Sequence, residues 1–416
     1  MKKIVIIGAG PAGMMAAITA AAQGAAVTLL EKKERVGRKL SITGKGRCNL
    51  TTAVGQADLI RGFPGNGRFL YSAFNEFSNR DLIAWFEQRG LKTKVERGSR
   101  VFPESDQAEE VVAVLYKALQ QAGVKILTGC EVQKVEIKNQ HVTGVDCRQG
   151  RQTADAVIIT TGGMSYPGTG STGDGYRWAA EAGHSIVEPR PGLVPLLVRE
   201  DWVHELQGLS LKNTRAVAYD AQGKKINEDM GELLFTHFGL SGPIILSMSR
   251  DIGEYLYRHH QAVKLELDLK PALSEEKLDE RVQRDLEKYS RKMFKNALDD
   301  LLPGKMIGVI IRLSGIDPGK PCHQISRSER LGLVQLLKHL PLTVYGTRPI
   351  AEAIVTAGGV NVKEIDPRTM QSRIVQGLFL AGEVLDVDGY TGGYNLQAAF
   401  STGYVAGKCA AQGNID

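Results

Sequence analysis

Gly8-Ala9-Gly10-Pro11-Ala12-Gly13 follows directly on the apolar run Ile4-Val5-Ile6-Ile7. Glycines at this spacing bring backbone N–H groups up against a pyrophosphate. The first allows a tight turn, the second lets the chain approach the phosphates, and the third lets the next helix pack closely on the strand. That helix then turns unpaired N–H groups and the positive end of its dipole toward the anion. Glu31 ends a second apolar segment, Val27-Thr28-Leu29-Leu30. It lies about 20 residues beyond the glycines, where a carboxylate takes hydrogen bonds from ribose hydroxyls. A bound adenine dinucleotide follows, with nicotinamide and flavin both open.

Three more glycine-centred loops carry chemistry. Lys32 leads into the first, Gly37 to Asn49, which holds Arg38, Lys39, Ser41, Gly44, Gly46, Arg47, Cys48 and Asn49. Cations, a hydroxyl and an amide this dense suit a pyrophosphate and the polar edge of a second ring system. The second begins at Thr161-Gly162-Gly163, where a strand running into small residues places them beside a cofactor. Its later glycines, Gly170 to Gly175, do not follow a strand directly and are not read as a second nucleotide fingerprint. The third joins Gly382-Glu383 to Gly392-Gly393-Tyr394-Asn395-Leu396-Gln397. An acid at a strand end, then glycines and a helix start, fits a ribityl chain and the carbonyl edge of an isoalloxazine. This return of the nucleotide fold at the far end of the chain points to FAD, because an NAD dehydrogenase keeps its fingerprint domain contiguous. Val132 opens a strand whose backbone could meet the adenine.

Proton donors are fewer. Tyr166 and Tyr390 lie in loops expected to border the flavin, and His237 is expected at a cap edge facing it, where imidazole titrates near neutral pH. Packing and loop support are competing roles for all three. Arg47 beside Cys48 would lower a thiol pKa, yet no partner cysteine is close in sequence, so Cys48 reads as a small residue packed against the FAD. The eight histidines are dispersed and form no metal-ligand pattern.

The elements that must position these residues divide the chain. The expected class is α/β: a discontinuous, glutathione-reductase-type, Rossmann-like FAD domain over residues 1–190 and 346–416. A β-rich or mixed insert covers 191–270 and about 304–345. A helical part covers 271–303 with 326–340. Ser274 to Leu302 reads as one long helix, its apolar residues spaced three to five apart. Ser326-Arg327-Ser328-Glu329 is a capping box opening another.

Composition narrows the class. There are 47 glycines in 416 residues, above the usual ~7%. A net charge of +6 fits an anionic cofactor and makes no case for nucleic acid. Five scattered cysteines without a C-x-x-C pair argue against a disulfide framework and suit a reducing cytosol. No signal peptide and no membrane span are read, so a cytoplasmic protein with a small-molecule substrate is expected. Nothing in the sequence speaks to oligomeric state.

Five segments together resemble the BaiN-like, aminoacetone-oxidase-like NAD(P)/FAD-dependent oxidoreductase family. They are Gly8–Gly13, Gly44–Asn49, Thr161-Gly162-Gly163 with Tyr166-Pro167, Thr236–Pro243, and Gly382–Asp386 through Gly392–Gln397. The resemblance spans nearly the whole chain. It implies noncovalent FAD, a cap with β-barrel-like and helical parts, and in one branch reduction of carbon–carbon double bonds in bile-acid-type enones. NAD(P)H is then the expected transient donor, since no second dinucleotide domain is visible. A flavin-dependent RNA- or tRNA-modifying protein, an amine oxidase using O₂ and a non-catalytic flavin-binding regulatory protein are the competing functions.

Overall fold

The structure, a computed structural model, describes residues 1–412. It divides into two compact units, Met1–Gly192 with Ile350–Asp416, and Leu193–Pro349.

The first unit is built on a five-stranded parallel sheet. Its strands are β1 (Lys3–Ile7), β2 (Ala26–Leu30), β3 (Lys125–Leu127), β4 (Ala156–Ile159) and β5 (Leu378–Leu380). Their order is β5-β4-β1-β2-β3, so β1 sits at the centre, between β4 and β2. β1 and β4 are apolar almost throughout because both sheet faces are covered. Helix α1 (Pro11–Ala22) follows β1 and packs along α2 (Tyr394–Gln412). The approach is close. A Cβ at Gly403 would lie 2.3 Å from the Ala12 carbonyl oxygen, and one at Gly407 2.2 Å from that of Ala16. The C-terminal glycines thus act as helix-contact residues that bring both ends of the chain into one core.

The second unit contains a closed six-stranded antiparallel barrel. In barrel order the strands are Leu196–Val198, Gly239–Ser241, Lys225–Phe235, Ser210–Tyr219, Val263–Asp268 and Leu340–Thr347. Helices Glu275–Lys288, Gly304–Ser314 and Arg327–Lys338 share its hydrophobic core, so barrel and helices form one body. The expected long helix ends at Lys288, well short of Leu302. Beyond it the backbone N–H groups of Phe294 and Lys295 bond to the carbonyls of Lys320 and Pro318, so tertiary partners replace the helical ones. Phe294, Leu298 and Leu301 are still buried, while Met293 is half exposed. Gly304–Ser314, placed in the mixed segment, is a helix. The capping box at Ser326 and Glu329 is formed as expected.

Candidate functional site

The carboxyl ends of β1, β4 and β5 form one rim, the place where open α/β sheets bind ligands. Gly8 takes φ +99°, and its N–H bonds to the Leu30 carbonyl at 2.8 Å. A Cβ at Gly13 would fall 1.9 Å from the Gly8 oxygen, so only glycine lets α1 start this close to the turn. Thr160 Oγ1 locks the same turn by donating toward the Ile7 and Gly8 carbonyls, each at 2.9 Å. At Gly10, by contrast, a Cβ would meet nothing within 4 Å. No side chain caps α1, Pro11 occupies its first turn with Ala12 and Gly13, and no acid lies there. An open space at Gly10 under an uncapped helix start is the shape and polarity a pyrophosphate requires.

Glu31 follows β2 and is held by two backbone donors. Its Oε2 accepts the Ala9 N–H and its Oε1 the Lys33 N–H, both at 2.9 Å. This orients the carboxylate and leaves each oxygen a further lone pair for a hydroxyl donor. Val132 is buried and pairs with Cys147 across its strand.

The basic loop is less available than its composition implies. Lys32 donates to Asp174 at 2.7 Å and to Thr172. Arg38 pairs with Glu34 on the surface. Ser41 donates to the Arg38 carbonyl at 3.0 Å. Arg47 is bound to Glu96 and Asp106 and lies over the Phe102 ring at 4.2 Å. Gly44 and Gly46 both take left-handed φ angles, and so does Lys45 between them. The Asn49 amide, turned with its oxygen to the Gly393 N–H at 3.0 Å, donates to Thr51 O and ties this loop to the start of α2.

Two expected cofactor contacts become packing residues. Cys48 has no exposed surface, and burial pushes its thiol up to about 12, opposite to the lowering expected from Arg47. Gln397 is fully buried. Its amide accepts from Thr51 Oγ1 at 2.6 Å and donates to Ser401 Oγ at 2.8 Å, so it fastens α2 to the core. Asn395 exchanges hydrogen bonds with the Gly389 N–H and carbonyl, both at 2.8 Å, and braces the loop before α2. Leu396 keeps partial exposure in the first turn of α2. A Cβ at Gly393 would lie 2.3 Å from Thr51 O.

Thr161, Gly162 and Gly163 leave β4 beside Glu383, Ser171 and Thr356. Gly382 takes φ +78°, and its N–H bonds to Thr402 Oγ1 at 3.0 Å. Lys39 and Glu383 form an ion pair at 2.8 Å. Ser165 and Thr356 complete that cluster, and neither was marked by sequence reasoning, because a lone serine or threonine carries no pattern. Tyr176 is deeply buried with its hydroxyl 3.5 Å from the Glu383 carbonyl, and burial raises its pKa.

The three proton-donor candidates differ in their local setting. Tyr166 is 40% exposed and is held at φ +50°, a left-handed conformation costly for a tyrosine. Tyr390 is partly buried, its N–H bonded to the Gly62 carbonyl. His237 belongs to the second unit, in the turn between two barrel strands, edge-on to Phe238. Among the described residues no group of three or more His, Cys, Asp or Glu is arranged to hold a metal ion, and no helix is long and apolar enough to cross a membrane.

Comparison with known proteins places this arrangement. The family model of the HI0933-like protein Rossmann domain matches residues 2–409. Over 415 residues the chain is 34% identical to a 3-dehydro-bile acid delta(4,6)-reductase of Clostridium scindens, which covers 99% of this chain and 100% of the relative. A ribosomal RNA dihydrouridine synthase of Haemophilus influenzae is 33% identical over 407 residues, 96% of each chain. A solved 3-ketosteroid delta1-dehydrogenase from Sterolibacterium denitrificans shares the fold, with a TM-score of 0.54 at 13% identity over 99% of this chain and 100% of that one. The fold, the rim and these relatives define an FAD-dependent oxidoreductase. The chain belongs to the HI0933-like family.

Proposed function

We propose that this enzyme reduces a carbon–carbon double bond conjugated to a carbonyl in a small molecule, with NAD(P)H as the electron donor. The observation that carries this reading is the full-length similarity to a bile acid delta(4,6)-reductase. The dihydrouridine synthase name implies the same bond type, since the uracil 5,6 double bond is conjugated to a ring carbonyl. FAD, when bound, supplies hydride transfer.

The chain's own residues do the rest. Gly8, Gly10, Pro11, Ala12 and Gly13 would hold the pyrophosphate, and Glu31 the ribose. Val132 would meet the adenine through its backbone. Gly162, Gly163, Gly382, Gly393 and Leu396 would line the flavin half without side chains in its way. Conjugate reduction also needs a proton on the carbon next to the carbonyl. Tyr166, Tyr390 and His237 are the residues to test for that step; the strained, exposed Tyr166 is the first choice.

The substrate is tested by anaerobic stopped-flow mixing of reduced enzyme with a 3-keto-4-ene bile acid, its saturated counterpart, free uridine and ribosomal RNA. Rapid flavin reoxidation by the conjugated ketone alone supports the small-molecule reading. Reoxidation by RNA alone transfers the activity to a uridine within RNA, the second reading, which the H. influenzae relative favours. Reoxidation by none of them removes both.

A further inference from the structure

Residues 39, 165, 356 and 383 meet at one ion pair. The Lys39 ammonium donates to Ser165 Oγ at 2.6 Å and to Glu383 Oε2 at 2.8 Å. Glu383 Oε1 accepts the Thr356 N–H at 2.8 Å and the Ser165 hydroxyl at 3.2 Å. Ser165 has no exposed surface. The Lys39 and Glu383 side chains keep 21% and 20% of theirs. The pair adjoins the rim: a Cβ at Gly162 would lie 3.6 Å from Glu383 Oε2, and one at Gly382 2.9 Å from Ala12 Cβ. An anionic carboxylate so close to the helix start and glycine loops would oppose both a pyrophosphate and the negative charge a flavin gathers on reduction.

We infer that Lys39 is a positioning residue that acts through Glu383. It neutralises the carboxylate and fixes it against Ser165 and Thr356. Glu383 can then accept hydrogen bonds from cofactor hydroxyls without adding net negative charge beside the flavin. Two of the three ammonium protons are spent inside the protein, so its first task is to hold the carboxylate. This inference rests on FAD occupying the rim and is independent of which substrate is reduced.

The test compares Lys39→Met, Lys39→Arg, Glu383→Gln and the Lys39→Met/Glu383→Gln double variant. FAD affinity is read by titrating flavin-stripped protein, and the flavin midpoint potential by dye-coupled reductive titration of the holoenzyme. Lys39→Met is expected to weaken FAD binding about tenfold or more and to lower the potential, because the carboxylate is left unpaired. Glu383→Gln alone shifts the potential upward. Combined with Lys39→Met it restores affinity to within about threefold of wild type, and Lys39→Arg stays close to wild type. A direct Lys39–phosphate contact would instead make the double variant as weak as Lys39→Met, or weaker, and that overturns the inference. So does an unchanged potential in both single variants. If Lys39→Met fails to fold, the upward shift in Glu383→Gln decides. An inactive wild type in the substrate assay would remove the proposed reaction and leave these measurements intact.

Discussion

Gly10 and Gly13 stand three residues apart in one fingerprint, and the structure assigns them opposite failures. An alanine Cβ at Gly13 would lie 1.9 Å from the Gly8 oxygen and 2.6 Å from Thr160 Oγ1, whereas real Cβ contacts do not fall below 3.0 Å. Helix α1 must withdraw by about 1 Å from the turn. Overpacking of this kind costs about 1–3 kcal/mol. In a domain of this size that lowers Tm by about 2–12 °C, with or without FAD. Gly10 has φ −80°, which any residue adopts, and open space where its Cβ would go. Gly10→Ala should therefore cost the flavin-free protein less than about 1 kcal/mol. The same methyl would enter the place proposed for the pyrophosphate, so the FAD dissociation constant should rise at least about tenfold, about 1.4 kcal/mol. Thermal melts of flavin-stripped protein and fluorescence titration with FAD separate the two effects. A Gly10→Ala variant that binds FAD like wild type would refute the assignment of this rim to the pyrophosphate, and a Gly13→Ala variant that melts like wild type would refute the close packing of α1 on the turn.

Other consequences are as direct. Gln397→Leu strands the Thr51 hydroxyl and removes the amide donor to Ser401, whose own hydroxyl keeps the Phe77 carbonyl, and should cost about 1–3 kcal/mol in urea unfolding, with FAD affinity little changed. Cys48 should resist iodoacetamide at pH 8 in the native protein and react on unfolding, since at a pKa near 12 only about one thiol in ten thousand is ionised. His184 is buried, and burial lowers its pKa despite the neighbouring Glu364. Ser372 Oγ accepts the Ile374 and Val375 N–H groups and so donates to His184 Nε2, as a neutral imidazole requires. The unfolded state therefore takes up this proton first, and stability is lost as pH falls below about 6.5. Urea midpoints should drop between pH 7.5 and 5.5, and His184→Gln should flatten that slope.

What the sequence revealed, and what it hid, has a physical pattern. The strand, fingerprint and first helix were legible because each role depends on backbone conformation, which glycine spacing reports directly. Gly382 and Gly393 take left-handed φ angles, the same kind of backbone demand. Arg47 and Lys32 looked free because their acidic partners, Glu96, Asp106 and Asp174, are distant in sequence. Glu383 and Lys39 are 344 positions apart, and no local signal links them. The helix expected to reach Leu302 failed where Phe294 and Lys295 found partners around Lys320, a choice made by tertiary packing. Gln397 sits in a glycine-rich motif of the kind that meets a ligand. Only burial shows that it serves the core.

The central claim is tested most directly by single turnover under anaerobic conditions. Enzyme reduced by NAD(P)H is mixed with one equivalent of a conjugated bile-acid ketone, and the product is identified by mass spectrometry as the flavin absorbance returns. The account predicts one saturated product, heavier by two hydrogens, for each flavin reoxidised. Flavin that stays reduced with the ketone and reoxidises only with O₂ would contradict it.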